Sequence, residues 1–216
     1  MEPLTIKQDD QAVMELGQAD PTMGKLIHTI GDIQATMRPE LFKSLVRAII
    51  GQQISVQAAS AIFKRLDALL DEHITAETIS SASDESLRAI GLSGRKVVYL
   101  RDLAEKILSS DLRLDQLHER DNDDAIKQLT GIKGIGKWTA EMFLIFSLRR
   151  MNVLAIDDIG IQRGAKWLYG VDKSERRNIL VEKETVWRPH LTIASFYLWE
   201  VVHLDFEKTF ASIDDM

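Results

Sequence analysis

A nearly all-α fold is predicted by three features of the chain. Helical hydrophobic periodicity runs along most of its length, alternating strand patterns are scarce, and short Gly- or Asp-containing turns separate the periodic segments. Such segments suit a compact orthogonal helical array rather than a long-helix bundle. The first pair lies between Pro39 and Leu70, where Leu41, Leu45, Ala48 and Ile49 mark one apolar stripe and Ala58, Ala59, Ile62, Phe63 and Leu66 another. Gly51-Gln52-Gln53-Ile54-Ser55 interrupts them, and Ser55 is a candidate N-cap for the second helix. Short helices at 83–89 and 113–118 flank a longer one from Gly94 to Leu108, which opens after the turn GLSG. Further helices are expected near 122–129, 137–149, 158–168, 173–184 and 190–204. No repeat, low-complexity segment or Pro/Gly-rich linker is present, so two lobes would have to be joined through short connections.

Composition removes several classes of function. The 216 residues suffice for one or two domains with a genuine core. Zero cysteines exclude disulfides, Cys-ligated zinc, iron–sulfur clusters and a thiol nucleophile. No stretch approaches the roughly 20 apolar residues of a membrane helix. The N-terminal MEPLTIKQDD lacks a basic and then apolar signal pattern, so an intracellular protein is expected. A net charge of −6 argues against a general nucleic-acid coat protein, yet the bases are unevenly spread. Residues 41–66 carry Lys43, Arg47, Lys64 and Arg65 with no acid, and residues 131–177 carry nine bases against five acids. Either solvated helix faces or phosphate-facing surfaces fit that distribution.

The segment LTGIKGIGKWTAEMFLIF, Leu129 to Phe146, places Gly131, Gly134 and Gly136 between two helical stretches. Glycines so spaced suit a tight turn with positive φ values and close approach of another backbone. The helix opening at Lys137 offers free N–H groups, and with Lys133 and Lys137 these form an anion site suited to a phosphate. A plain helix–turn–helix corner accounts for one of the glycines, but less well for three. Downstream, VLAIDDIGIQRG sets Asp157 and Asp158 at the start of another helix, and spacing alone does not separate their roles.

Hairpin and aspartate together resemble the helix-hairpin-helix DNA glycosylase superfamily, whose hairpin pattern stands here as Ile132-Lys133-Gly134-Ile135-Gly136-Lys137-Trp138-Thr139-Ala140. The chain is more closely similar to the 3-methyladenine DNA glycosylase II family, the alkylation-repair branch, from about Leu41 to Trp199. The matching segments are RAIIGQQISVQAA (Arg47–Ala59), GLSGRKVVYLRDLA (Gly91–Ala104), IKGIGKWTAEM, the Asp-Asp pair and WRPHLTIASFYLW (Trp187–Trp199). It resembles a short form without the β-rich N-terminal domain of longer members. The resemblance implies an all-α glycosylase fold of two helical lobes with the active site in the cleft between them. One lobe is expected from residues 1–38 plus 150–216. The other is expected from 39–149, with the GQQIS loop and a hairpin motif at 121–148.

To hydrolyse a base–sugar bond in a duplex, an enzyme must extrude the nucleotide, hold the base and stabilise an oxocarbenium-like sugar. The resemblance assigns the stabilising carboxylate to Asp158 and leaves Asp157 as a candidate helix cap. Trp138 stands where bifunctional members carry a nucleophilic lysine. Tryptophan forms no imine, which implies a monofunctional enzyme that uses water and leaves an abasic site without lyase cleavage. Lys137 is turned away by roughly 100° on a helix and suits phosphate contact. Alkylated purines are often cationic and are attracted to aromatic faces. By resemblance Trp138, Met142 and Trp199 line the base pocket, with Met142 where a relative has tyrosine, whereas Trp167 and Trp187 are expected in the core.

The implied DNA contacts are Gln52, Gln53, Ser55, Lys133, Gly134, Gly136, Lys137 and Thr139. Gln53 holds the wedge position, where a relative has an apolar residue. No cofactor is required, but the family implies potassium or sodium on the carbonyls of Thr130, Ile132 and Ile135. The expected partner is double-stranded DNA containing alkylated bases, bound by a monomer without a membrane, in the cytoplasm or nucleoid of a prokaryote or in a nucleus. Leu191 and Thr192 replace an arginine and a serine found in many relatives, which puts any ion pair of that arginine in doubt. The alternative function is a non-catalytic helix-hairpin-helix DNA-binding protein.

Overall fold

The computed structural model describes residues 2–216. In chain order it contains β1 (Glu2–Ile6), α1 (Gln11–Ala19), α2 (Pro21–Ile30), β2 (Ile33–Met37), α3 (Leu41–Gly51), α4 (Val56–Leu69), α5 (Ala76–Ser81), α6 (Asp84–Ala89) and α7 (Gly94–Leu108). A 3-10 turn at Leu114–Glu119 follows, then α8 (Asn122–Thr130), α9 (Lys137–Phe146), α10 (Ile159–Tyr169), α11 (Arg176–Trp187), α12 (Leu191–His203), α13 (Phe206–Thr209) and a last 3-10 turn at Ile213–Asp215. Helix starts are written locally: Ser55, Thr75, Ser83, Ser93, Asp121 and Asp158 each accept a backbone N–H with the side chain.

The fold is mostly helical, as the periodicity predicts, with one addition. β1 and β2 pair antiparallel, Leu4 opposite Ala35 and Ile6 opposite Ile33. Five-residue strands whose partners lie beyond two helices leave too short an alternation to be seen in sequence. Other helical elements also differ from expectation, and α1, α2, α5 and α13 stand outside the expected helical ranges. A short helix forms at Ala76–Ser81, closed by a Thr75–Thr78 capping box. The segment expected as a helix at 113–118 is a 3-10 turn. α9 ends at Phe146 rather than 149, because Arg149 takes φ +54° and the Arg150 N–H returns to the Leu144 carbonyl. α11 runs Arg176–Trp187 rather than 173–184, which carries Trp187 into the core.

Two compact units result, Arg38–Phe143 and a second that combines residues up to Met37 with Leu144–Met216. The first is built on Leu45, Ile49, Leu66, Leu100, Leu103 and Leu129, all fully buried. In the second, α10 and α12 cross closely enough that a Cβ on Gly164 would lie 2.2 Å from the Leu198 carbonyl oxygen. Asp20 is the polar centre of this unit. It is 2% exposed, caps α2 through Thr22 and Met23 N–H, and accepts from the Tyr169 hydroxyl (2.7 Å), Trp187 Nε1 (3.0 Å) and Lys183 Nζ (3.1 Å). Trp187 and Trp167 are buried, in accord with the expected core roles. Among the described residues no helix is long and apolar enough to cross a membrane.

Candidate active site

The Asp157-Asp158 pair lies on the second unit, where the two carboxylates part company. Asp158, not Asp157, is the N-cap of α10: its Oδ1 accepts the Ile161 N–H at 2.9 Å. The same oxygen accepts Trp199 Nε1 at 2.9 Å. Asp157 is exposed and pairs with Arg177 Nε at 3.0 Å, so its expected capping role is overturned. One cap position exists per helix start, and the turn before α10 gives it to the second aspartate: Asp158 N–H bonds the Ala155 carbonyl while Gln162 Nε2 donates to the Ile156 carbonyl.

Glycine at 160 is a condition of this arrangement. A Cβ there would sit 2.9 Å from Trp199 Cδ1 and 3.1 Å from Asp158 Oδ1. Gly160 and Gly164 are four residues apart and so share the α10 face turned to α12. The Trp199 ring stacks on Phe146 at 5.7 Å and meets Phe196 edge-on at 5.6 Å, which fixes the indole that holds the carboxylate. At the first of the two positions that depart from the family pattern, Leu191 is buried in the core. Thr192 accepts the Val153 N–H at 3.1 Å and donates to the Arg150 carbonyl at 2.7 Å. The threonine thereby braces the loop that leads to Asp158. Sequence reading missed Gly160, Phe146, Gln162 and the bracing role of Thr192 because these depend on contacts between α10, α12 and that loop.

The hairpin lies on the first unit. Of its three glycines only Gly134 has a positive φ, +84°, and a Cβ there would penetrate the Tyr99 ring at 2.2 Å. The close neighbour is thus a side chain of α7 rather than a second backbone. Gly131 caps α8 with ordinary helical angles, and a Cβ on Gly136 would meet nothing within 4 Å. Lys133 is gripped by the buried Asp102, which accepts its backbone N–H at 2.9 Å and its Nζ at 3.2 Å. Its charge is therefore partly matched within the protein. Lys137 reaches Glu141 at 3.6 Å from an exposed position, and Thr139 is half-buried beside it.

Trp138, 48% exposed, and Met142 share one face of α9 by their four-residue spacing. Gln52 Nε2 donates to the Gly134 carbonyl at 2.7 Å, so Gln52 ties the GQQIS turn to the hairpin. Lys96 Nζ supports the same turn from the Ile50 carbonyl at 2.7 Å, and burial pushes its ammonium below the ordinary lysine range. Gln53 is exposed at φ +59°, and Ser55 caps α4 by accepting the Ala58 N–H. The basic segment 41–66 is largely spent internally. Lys43 pairs with Glu40, Arg47 lies 3.4 Å over the Phe63 ring, and Arg65 donates to the Ile90 carbonyl.

Thr130 closes α8, so its carbonyl belongs to the negative end of that helix. The Ile132 carbonyl accepts the Ile135 N–H at 3.1 Å and retains a second lone pair. Backbone oxygens of this kind, with Ile135 nearby, fit a hard monovalent cation. No cluster of three or more His, Asp or Glu suited to a metal occurs among the described residues.

Comparison with known proteins places the chain in a family. Residues 46–189 match the model of the HhH-GPD superfamily base excision DNA repair proteins. The chain is 33% identical over 205 residues to DNA-3-methyladenine glycosylase 1 of Schizosaccharomyces pombe, covering 92% of this chain and 90% of that protein. Its structure is similar to the crystal structure of a DNA-3-methyladenine glycosidase from Bacillus halodurans, with a TM-score of 0.92, 37% identity and 98% of each chain covered. It is also similar to the Schizosaccharomyces pombe 3-methyladenine DNA glycosylase in complex with abasic DNA, with a TM-score of 0.77, 32% identity, and 89% of this chain and 97% of that chain covered.

Proposed function

The chain belongs to the HhH-GPD superfamily of base excision DNA repair proteins, and on that footing we propose that it is a monofunctional DNA glycosylase acting on alkylated bases in duplex DNA. The observation that carries this reading is the Asp158 carboxylate, oriented through one oxygen by the Ile161 N–H and the Trp199 indole N–H. A carboxylate so held suits the charge that develops on a sugar as its base departs. A mere cap does not need the second donor.

In the proposed reaction the lesion nucleotide leaves the stack and its base is held while the N-glycosidic bond breaks. The bonding pair goes to the base, the sugar gains oxocarbenium character opposite Asp158, and water adds to the sugar carbon. A cationic base takes the bonding pair and departs neutral, the proton lost by the adding water is released to solvent, and a free base and an abasic site remain. Trp138 offers a half-exposed aromatic face to a cationic base, and Met142 a soft, polarisable surface beside it. Trp199 serves the carboxylate through its indole N–H. The Gly134–Gly136 amides, Lys137 and Thr139 receive a backbone phosphate, with Lys133 contributing what Asp102 leaves of its charge. The carbonyls of Thr130, Ile132 and Ile135 would hold potassium or sodium, which supplies positive charge against that phosphate. Trp138 in place of a lysine gives no Schiff base, hence no lyase step. Methylated purines such as 3-methyladenine and 7-methylguanine are the proposed substrates, acted on by a monomer.

The test is release of free bases from randomly methylated duplex DNA, followed by chromatography, for wild type and Asp158→Asn. Wild-type release abolished in the variant, with no borohydride-trapped covalent complex, is the expected result. Salt-sensitive duplex binding without release by either protein would favour the non-catalytic hairpin module instead.

A further inference from the structure

We propose that Asp102 competes with the DNA phosphate for Lys133 and so holds down the sequence-independent affinity of the hairpin for duplex. The partner is that of the glycosylase reading, on which the proposal rests, and the competition follows from the contacts of α7. Lys96, Tyr99 and Asp102 are spaced three residues apart and follow one another along one side of that helix. Lys96 Nζ donates to the Ile50 carbonyl at 2.7 Å, and the Tyr99 ring fills the space that a Cβ on Gly134 would need. Asp102 Oδ2 accepts the Lys133 N–H at 2.9 Å. One side of one helix thus braces both the GQQIS turn and the hairpin.

Holding the Lys133 N–H requires only an acceptor, and an asparagine oxygen would serve there without the cost of burying an ion. The carboxylate does more than anchor. Its side chain is 10% exposed, and its Oδ1 lies 3.2 Å from the Lys133 ammonium, whose own side chain is 64% exposed. The ammonium is free to turn outward, whereas the carboxylate cannot follow. When a phosphate settles on the Gly134–Gly136 amides, Lys133 Nζ leaves Oδ1 for a phosphate oxygen, and Asp102 stays behind on the Lys133 N–H. Binding then exchanges one ion pair for another instead of adding one. It also brings two anions together in a partly buried place that salt screens poorly. Lys137, 3.6 Å from Glu141 and beyond hydrogen-bond reach of it, is the internal comparison. The consequence is a looser hold on undamaged duplex and abasic product alike, because phosphate contacts carry no sequence information.

The test is binding of the full chain to an undamaged duplex, followed by fluorescence anisotropy at several salt concentrations. Wild type and Asp102→Asn are compared, each alone and combined with Lys133→Gln or Lys137→Gln, and chemical denaturation checks that every variant is folded. Asp102→Asn keeps an acceptor for the Lys133 N–H and removes the charge. It is expected to bind about three- to fivefold tighter at low salt, with a slope of log K against log salt steeper by about one half to one. Lys133→Gln should change little in the wild-type background and should abolish the whole gain in the Asp102→Asn background. Lys137→Gln should lose the same slope in both. An Asp102→Asn variant with unchanged affinity and slope would leave Asp102 an anchor alone and overturn the proposal. So would a Lys133→Gln variant that loses a full phosphate contact in the wild-type background, a result that needs no change at a buried residue. The readout requires no excision. A wild type that binds duplex with salt sensitivity but releases no methylated base therefore refutes the glycosylase reading, while the competition is still judged by the slopes.

Discussion

The indole N–H of Trp199 donates to Asp158 Oδ1 at 2.9 Å, and the same oxygen caps α10 through Ile161. One carboxylate oxygen thus joins a helix start on α10 to an aromatic stack on α12. Trp199→Phe keeps the ring against Phe146 and Phe196 but removes the donor. A hydrogen bond to a charged group is worth about 1.5–3 kcal/mol, so kcat for base release should fall by roughly ten- to a hundredfold. KM for methylated duplex should change little. A rise in KM with kcat unchanged would show that the side chain contributes substrate binding rather than positioning.

Gly160→Ala tests the same relationship from the other helix. The added Cβ meets Trp199 Cδ1 at 2.9 Å and Asp158 Oδ1 at 3.1 Å, so the indole and carboxylate must separate. Alanine favours helix by about 1 kcal/mol, which offsets part of the steric cost in thermal unfolding. Activity is expected to drop at least tenfold while Tm shifts by only a few degrees.

The hairpin glycines should differ in a way their spacing does not reveal. Gly134→Ala combines φ +84° with a Cβ inside the Tyr99 ring and should cost about 2–4 kcal/mol together with most duplex affinity. Gly136→Ala, with nothing within 4 Å, should leave stability within about 0.5 kcal/mol of wild type. Chemical denaturation of the two variants checks both numbers.

Phosphate contact at the hairpin is measurable through salt. Lys137→Ala should lower duplex affinity uniformly across sequences and reduce the slope of log K against log salt by about one. Lys133→Ala should reduce it by less, because Asp102 already faces that ammonium at 3.2 Å.

Asp20 contributes to acid stability. Burial alone would raise its carboxyl, but hydrogen bonds from Tyr169, Trp187, Met23 and Lys183 together hold it below the ordinary carboxylate range. The unfolded chain therefore takes up the proton first. The stabilisation is complete above the unfolded value of about 3.9 and is lost as pH falls through the lower folded value. Tm of wild type should fall steeply below about pH 4, whereas Asp20→Asn should start lower and show a shallower decline. Asp20→Ala, which strands the Trp187, Tyr169 and Lys183 donors, should cost about 3–5 kcal/mol at neutral pH.

Local rules were enough for the elements that begin and end on their own residues. α3, α4 and α7 were legible because apolar periodicity, the Ser55 cap, the GLSG turn and the GQQIS interruption are all written within a few residues. The hairpin and the Asp-Asp pair were equally legible as motifs, and resemblance to a family attached roles to them. Three things were beyond reach for one reason, namely that their energies come from residues distant in the chain. The β1–β2 pair closes across two helices, the choice between Asp157 and Asp158 turns on Trp199 and Arg177, and the need for glycine at 134 turns on Tyr99. Hydrophobic period and capping are properties of a segment. Which aspartate an indole holds, and which glycine has no room for a Cβ, are properties of the packing between α10 and α12 and between α7 and the hairpin.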